Sequence, residues 1–310
     1  IDLPYREALH CYDASSVYLI TPRNQTTIMR FILLIAAIIT AAACSSNERT
    51  ADNNSKNEFF FIQLSDPQLG FTPDSLQKEI AFFEKAVARV NELKPDFVVI
   101  TGDLVHHPQD SIELREFERI TKMIDASIPV YLTPGNHDVG NEPQTADLDF
   151  YKGIYGDDRF SFEHKGIRAI GLNSSLIKAK TPQWEQEQYE WLEKELAAAQ
   201  KSQQIYIFCH YPFFVKDADE ADEYFNIDLP VRKKYLGLFK QYNVKAVFAG
   251  HLHGNAEGRY ETISMITTSA VGKPLHSDPN GLRIIKVSGD SFSHKYFHLD
   301  SVSTASLKQF

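Results

Sequence analysis

The chain has 310 residues, of which 43% are hydrophobic and 24% charged, a composition typical of a globular protein large enough to bury a core. Its formal charge of −9, without a basic cluster in the main domain, argues against nucleic acid as a partner. Three cysteines, Cys11, Cys44 and Cys209, do not give the even count of a disulfide framework.

The N-terminal segment has the pattern of an export signal. The first methionine is Met29, so residues 1–28 are interpreted as an upstream extension that is not made in the cell. Arg30 then precedes an apolar run over residues 31–39 and a series of small residues that ends at Cys44. This order is typical of a secretory signal, and the run is shorter than the roughly 20 apolar residues of a transmembrane helix.

Cys44 resembles the lipidated cysteine of a bacterial lipoprotein, although Ala41 stands where leucine is commonest. We therefore expect residues 29–44 to form a signal peptide with a lipobox-like cysteine and residues 45–57 to form a flexible polar tether. The expected location is the periplasm or the cell surface of a bacterium, with contact to the membrane only through a lipid anchor. An uncleaved signal anchor is the alternative.

Residues 58–300 predict a single α/β domain, followed by a tail over residues 301–310. Apolar runs at 59–64, 96–101 and 128–132 predict buried strands, and amphipathic patterns at 74–93 and 111–125 predict helices between them. Each strand ends in polar side chains that could bind a ligand. Open α/β sheets place their ligands at such strand ends.

The second half of the domain is also predicted to contain strands and helices, with polar side chains at strand ends. It predicts a hairpin over 159–172, a helix over 184–199, a strand over 205–209, a helix over 231–242 and a strand over 244–249. Strand-like segments follow to residue 299. We expect Trp184, Trp191 and Cys209 to be packing residues.

The segment 216–228, which follows one of the polar strand ends, contains six acidic residues. Such a charge run is usually a solvated loop. Its position also leaves open a role in controlling access to the site.

Five strand ends carry side chains that could bind metal ions: Asp66 and Gln68, Asp103, Asn136 and His137, His210, and His251 with His253. Carboxylate, amide and imidazole donors without thiolate favour Mn, Fe or Zn over a structural zinc site. The spacing of the last two histidines on an extended segment places both rings on one face, one for each of two metals.

The order of these motifs resembles that of the calcineurin-like metallophosphoesterases over roughly residues 58–300. The resemblance is closer to the subfamily with an Asp-Pro-Gln first motif, here Asp66-Pro67-Gln68, and is supported by Gly102-Asp103-Leu104-Val105-His106 and Tyr224-Phe225-Asn226. Some members of that subfamily are described as protein Ser/Thr phosphatases. The resemblance implies a layered α-β-β-α sandwich of two mixed sheets flanked by helices.

The resemblance also implies a centre of two divalent or trivalent metal ions, Mn, Fe or Zn. The implied ligands of these ions are Asp66, Gln68 and His253 for one, Asn136, His210 and His251 for the other, and Asp103 as a bridge. It further implies that a hydroxide held between the ions attacks phosphorus. His137 would protonate the leaving group, and Asp138 would orient its ring.

Two positions qualify this assignment. Gln68 stands where most relatives have a histidine, so that metal site gains a neutral and weaker oxygen donor. His106 stands where the purple acid phosphatases carry a metal-binding tyrosine, which makes it a candidate ligand, substrate contact or supporting residue. Arg283 and Asn173 are further candidates to face the site.

The favoured hypothesis is a dinuclear metal-dependent phosphoesterase that hydrolyses phosphate monoesters, with a phosphorylated small molecule or a phosphopeptide as substrate. A phosphodiesterase or nucleotide pyrophosphatase would use the same centre with a different pocket wall. A surface lipoprotein that binds metal or ligand without turnover is the alternative from another class, prompted by Gln68.

Overall fold

The computed structural model describes residues 58–310, so the predicted signal peptide, the tether and the residues before them lie outside the described part. The strands are β1 (Phe59–Leu64), β2 (Val98–Thr101), β3 (Val130–Thr133), β4 (Phe160–His164), β5 (Ile167–Gly171), β6 (Gln204–Phe208), β7 (Ala246–Ala249), β8 (Ala256–Tyr260), β9 (Ile263–Thr267), β10 (Gly281–Ser288) and β11 (Ser291–His298). The helices are α1 (Leu76–Leu93), α2 (Ser111–Thr121), α3 (Asn136–Val139), α4 (Thr145–Tyr155), α5 (Ser174–Lys178), α6 (Pro182–Ala198) and α7 (Leu229–Gln241).

The strands form two mixed sheets. The first has the order β11-β10-β1-β2-β3, in which β1, β2 and β3 are parallel and β10 runs antiparallel to β1. The second has the order β4-β5-β6-β7-β9-β8, with β5, β6, β7 and β9 parallel. Because parallel neighbours end at the same edge of a sheet, their C-terminal loops are brought together. The predicted α/β sandwich of two mixed sheets flanked by helices is confirmed.

Aromatic side chains fill the space between the two sheets. Phe61 of β1 stacks on Phe97 at a centroid distance of 4.7 Å and meets Phe208 and Phe248 of the second sheet edge-on at 5.7 and 5.8 Å. All four are buried. This aromatic layer locks one sheet onto the other, and α1 and α2 pack on the outside of the first sheet while α6 and α7 pack on the second.

Sequence periodicity predicted the long helices but missed α3, α4 and α5. In α4 the buried side chains are Leu148 and Tyr151, whereas Phe150 and Ile154 are exposed, so apolar residues surround the helix and obscure its period. The short α3 begins where a loop was predicted, and the carboxylate of Asp138 accepts the backbone N–H of Gly135 at 2.7 Å at its start.

The C-terminal residues pack against the domain. Residues 301–310 were predicted as a tail. Val302 is buried in the hydrophobic core that α1 and α2 share with the first sheet, and the ring centroids of Phe310 and Phe297 are 6.2 Å apart. Within residues 58–310, none of the helices combines the length and apolar character required to cross a bilayer.

The aromatic layer generates a stability prediction. Replacing Phe61 by alanine leaves a void between the sheets, and a buried phenylalanine truncated in this way typically costs about 3–5 kcal/mol. The urea midpoint of Phe61→Ala should fall accordingly in an equilibrium denaturation experiment. Phe150→Ala, at a site 36% exposed, is the matched control and should change stability by less than about 0.5 kcal/mol. Equal losses in both variants would contradict the assignment of the core.

Candidate metal centre

The ends of five strands, β1, β2, β3, β6 and β7, bring the predicted ligands together at one edge of the sandwich. Ligand atoms of Asp103, His210 and His251 lie within 4.8 Å of one another. Those of Asp66, Asp103 and His253 form a second group of the same size. Asp103 belongs to both groups, which is the geometry that a shared ligand between two cations requires.

Backbone carbonyl groups orient two of the imidazole rings. His210 donates from Nδ1 to the Thr101 carbonyl at 2.9 Å, and His253 donates from Nδ1 to the Lys273 carbonyl at 2.5 Å. In both rings Nε2 therefore faces the carboxylates, 3.3 Å from Asp103 Oδ2 for His210 and 3.4 Å from Asp66 Oδ1 for His253. Metal-binding histidines are commonly fixed in this way.

Asn136 joins the group through its amide oxygen. Its Oδ1 lies 3.2 Å from His210 Nε2, and its Nδ2 points away from the centre toward the Tyr224 hydroxyl at 3.4 Å. His251 presents Nδ1 to the same His210 nitrogen at 3.1 Å. The second predicted ligand group is thus assembled from three different strand ends.

The backbone at the site is held in an uncommon conformation. Five of the predicted ligands have a positive φ: Asp66 (48°), Gln68 (35°), Asp103 (48°), His251 (70°) and His253 (47°). Each such residue costs on the order of 1–3 kcal/mol and persists only where the surrounding structure enforces it. Strain concentrated on the chemically active side chains is typical of a functional site.

Glycines are needed where loops of the site approach each other closely. Gly102 has φ +80°, and a Cβ there would lie 2.6 Å from Nδ1 of His210. A Cβ on Gly135 would collide with the carboxylate of Asp103. At Gly135 the decisive requirement is therefore space for the neighbouring carboxylate.

The charges of the site favour a cation between the carboxylates. Burial raises the pKa of Asp66. Burial acts in the same direction on Asp103, but the neighbouring His210 outweighs it and lowers the pKa of that carboxyl. Burial opposes the charge of His210, yet Asp103 and Asp66 outweigh burial and raise the pKa of His210 to about 9. Positive charge is therefore stabilised at this point.

Gln68 offers an oxygen donor that is compatible with a metal ion. Its Oε1 is buried and has no hydrogen-bond partner among the described residues. A buried polar atom left unpaired costs about 1–3 kcal/mol, and a cation is a partner that a buried amide oxygen can take. The donor set of carboxylate, amide and imidazole suits Mn, Fe or Zn.

His137 is placed at the site, but its orientation differs from the prediction. Its Nδ1 donates to the carbonyl of His106 at 3.1 Å, and its backbone N–H donates to Asp103 Oδ1 at 2.9 Å. The prediction that Asp138 orients this ring is wrong. The buried carboxylate of Asp138 accepts the backbone N–H groups of Leu104 at 2.9 Å and Gly135 at 2.7 Å, and so ties the β2 and β3 loops together.

His106 contacts both His137 and Gln68. Its ring stacks on that of His137 at 4.5 Å, and its Nδ1 lies 3.4 Å from Nε2 of Gln68. Glu113, to which the sequence analysis gave no role, accepts the backbone N–H groups of His106 at 3.1 Å and of His107 at 2.7 Å.

Arg283 and Asn173 were expected to face the site, and the structure assigns them other contacts. Arg283 is buried and donates to Asn255 Oδ1 at 2.6 Å and to Thr268 Oγ1 at 2.7 Å. Asn173 donates to Asp158 at 3.0 Å. Cys209 is a buried packing residue, and burial raises the pKa of its thiol.

Two tyrosines near the site were given no role by the sequence analysis. Tyr211 directly follows His210, and its ring lies 4.0 Å from that of His251. Tyr224, in the acidic loop, lies 5.3 Å from His251 on centroids. The adjacency of Tyr211 to a predicted ligand was a usable signal, whereas nothing in the local sequence placed Tyr224 at the centre.

Comparison with known proteins identifies relatives of this chain. The family model described as calcineurin-like phosphoesterase matches residues 61–255. A Rattus norvegicus protein named serine/threonine-protein phosphatase CPPED1 is 36% identical over 270 residues, spanning 80% of this chain and 86% of its own. Its Pongo abelii counterpart is 37% identical over 267 residues, spanning 79% and 85%. A solved dimetal phosphatase from Danio rerio has a TM-score of 0.58 at 15% identity, covering 77% of this chain and 99% of that one, which supports the fold.

The position of Asp103 in both ligand groups predicts the effect of removing its charge. Asp103→Asn should lower the metal bound after purification from about two ions per chain to about one or fewer, measured by elemental analysis. A chelator should lower the melting temperature of the wild type more than that of the variant, because bound ligands stabilise the folded state. Asp290→Asn, at an exposed turn, is the control. A variant that retains full metal content would contradict a shared ligand at this position.

Proposed function

From the premise that this chain belongs to the calcineurin-like phosphoesterase family and is a metal-dependent hydrolase of phosphoric esters, we propose that it hydrolyses phosphate monoesters at the centre around Asp103. The observation that carries the proposal is the membership of Asp103 in both groups of close ligand atoms. Relatives named as phosphatases support a phosphorylated substrate, either a small molecule or a phosphopeptide.

The residues proposed to hold the two ions are Asp66, Gln68 and His253 for one, Asn136, His210 and His251 for the other, and Asp103 for both. The short distances among the carboxylates, the imidazoles and Asn136 support this proposal. When bound, Mn, Fe or Zn ions supply Lewis-acid polarisation of the phosphoryl oxygens and a water nucleophile that ionises near neutral pH. Each proposed site would then contain one neutral amide oxygen, from Gln68 in the first and from Asn136 in the second.

His137 is proposed as the general acid. Its Nδ1–H is held by the His106 carbonyl, so the other ring nitrogen, Nε2, is left for the substrate. The stacked ring of His106 restricts rotation of the imidazole. A protonated Nε2 can then donate its proton to the oxygen of the leaving group as the P–O bond breaks. Asp138 is a positioning residue, because its carboxylate fixes the loops that carry Asp103 and His137.

The proposal is tested by comparing hydrolysis of p-nitrophenyl phosphate with that of bis(p-nitrophenyl) phosphate in the presence of Mn. We expect kcat/KM to be at least about tenfold higher for the monoester, with Asp103→Asn inactive on both. Faster cleavage of the diester would favour a phosphodiesterase. Two bound ions without hydrolysis of either ester would favour a binding protein instead.

The role of His137 predicts a dependence on the leaving group. His137→Ala should lower kcat for an alkyl phosphate by about 100-fold or more, and by much less for p-nitrophenyl phosphate, because nitrophenolate departs without a proton. Rates for a series of esters of graded leaving-group pKa would measure this difference. His298→Ala serves as the control, because the Nδ1 atom of His298 accepts the backbone N–H of Asp300 at 3.3 Å and His298 has no proposed catalytic role. Similar losses on all esters would remove His137 from the acid role.

We also propose that the protein is exported and lipidated at Cys44, on the pattern of residues 29–44. In a bacterial host, labelled fatty acid should be incorporated into the full chain and into Cys209→Ala, and incorporation should be lost in Cys44→Ser. Persistence of the label in Cys44→Ser would overturn the assignment.

A further inference from the structure

Tyr224 is an exposed aromatic side chain at the edge of the metal centre. It is 60% exposed, although its ring lies 5.3 Å from that of His251. Its hydroxyl group lies 3.4 Å from Nδ2 of Asn136 and 3.5 Å from Oδ1 of Asn141. The hydroxyl end is thus tied to the site, while much of the ring is open to solvent beside the place where a phosphoryl group would bind.

Lys178 binds the turn that carries Tyr224. The Lys178 ammonium group donates to the carbonyl oxygens of Glu223 at 2.6 Å and Asn226 at 2.8 Å, and to Asp228 Oδ1 at 2.8 Å. The side chain of Asn226 accepts the backbone N–H of Glu223 at 2.9 Å, which closes the turn. Tyr224 therefore stands on a short turn fixed on both sides.

A buried arginine holds the rest of this loop. Arg232 of α7 is buried and donates to the carbonyl oxygens of Ile227 at 2.9 Å, Ala218 at 3.0 Å and Glu220 at 2.7 Å. Burying a guanidinium group requires such partners, because an unpaired buried charge is strongly unfavourable. The position of Tyr224 is consequently fixed before substrate binds, which reduces the entropy lost on binding.

A second aromatic side chain, Phe71, lies beside His253 and His106. The ring of Phe71 lies 5.2 Å from that of His253 and 5.3 Å from that of His106. The two predicted metal-binding histidines of one loop, His251 and His253, thus each have an aromatic neighbour, Tyr224 for the first and Phe71 for the second. The surroundings of the phosphoryl position combine aromatic surface with fixed polar groups.

The charge of the same loop limits the substrates that fit. Asp217, Asp222 and Glu223 are exposed residues of the turn region that carries Tyr224. Their field opposes the approach of a substrate that carries several phosphate groups. A single phosphate on an uncharged organic group carries less negative charge and experiences less of this repulsion.

We propose that Tyr224 is a specificity-determining residue whose ring stacks on the aromatic group of an aryl phosphate monoester. The inference rests on the proposed function and deepens it by naming the substrate class. Paired aromatic rings are stabilised when their centroids lie about 4.5–7 Å apart, through contacts that a saturated group of the same charge does not make.

The test uses two phosphonates that carry the same charge and have no leaving group, phenylphosphonate and methylphosphonate. Their affinities for the metal-loaded protein are measured by titration calorimetry. The preference of the wild type for phenylphosphonate should fall by about 3- to 10-fold in Tyr224→Ala, the range that one aromatic pair contributes. Tyr224→Phe keeps the ring and should keep the preference. Phe225→Ala removes a neighbouring ring, 37% exposed, and should leave the preference unchanged.

The metal content of each variant separates the role of the ring from that of the hydroxyl group. Loss of the hydrogen bond to Asn136 would lower metal content in Tyr224→Phe and Tyr224→Ala alike, whereas the loss of aryl preference is confined to Tyr224→Ala. An unchanged preference in Tyr224→Ala, or a wild type that binds both phosphonates equally, would overturn the proposal while hydrolysis of monoesters still supports the proposed function. Failure to hydrolyse any monoester would instead remove the proposed function.

Discussion

Two buried carboxylates at neighbouring strand ends, Asp66 and Asp103, set the requirement that the rest of the structure meets. Both lie in a low-dielectric environment, where like charges repel strongly. The imidazole of His210 offsets part of this repulsion from 3.3 Å away. The buried oxygen of Gln68 has no hydrogen-bond partner among the described residues and offers a donor without adding charge. A cation is the group that satisfies all of these atoms together.

The fold brings these side chains together through parallel strand pairing. β1, β2 and β3 end at one edge of the first sheet, and β6 and β7 end at the facing edge of the second. The aromatic layer around Phe61 fixes the two sheets against each other and thereby the distance between their loops. Positive φ angles at five predicted ligands show that the packed sandwich imposes the geometry of the site on its backbone.

Groups other than the implied metal ligands determine how the central side chains are oriented. The carbonyl of His106 holds His137, Glu113 holds the loop of His106, and Asp138 joins the β2 and β3 loops. The acidic loop, residues 216–228, is also held by neighbouring side chains. Lys178 and Arg232 donate hydrogen bonds to its carbonyl groups and so fix Tyr224 beside His251. We therefore expect substrate selection to depend on residues that neither bind metal nor transfer a proton.

The sequence alone determined the α/β class, the succession of strands and helices along the chain and the polar residues at the strand ends. Buried runs, helical periodicity and strand-end motifs are all local patterns. It also placed Asp103 second in the series of five motifs, and family resemblance gave it a bridging position. Only the tertiary structure decided which group orients His137, why Gly135 must be glycine and where Tyr224 lies. Those answers depend on contacts between residues far apart in the chain, such as Asn136 with Tyr224, and local sequence patterns carry no information about such distances.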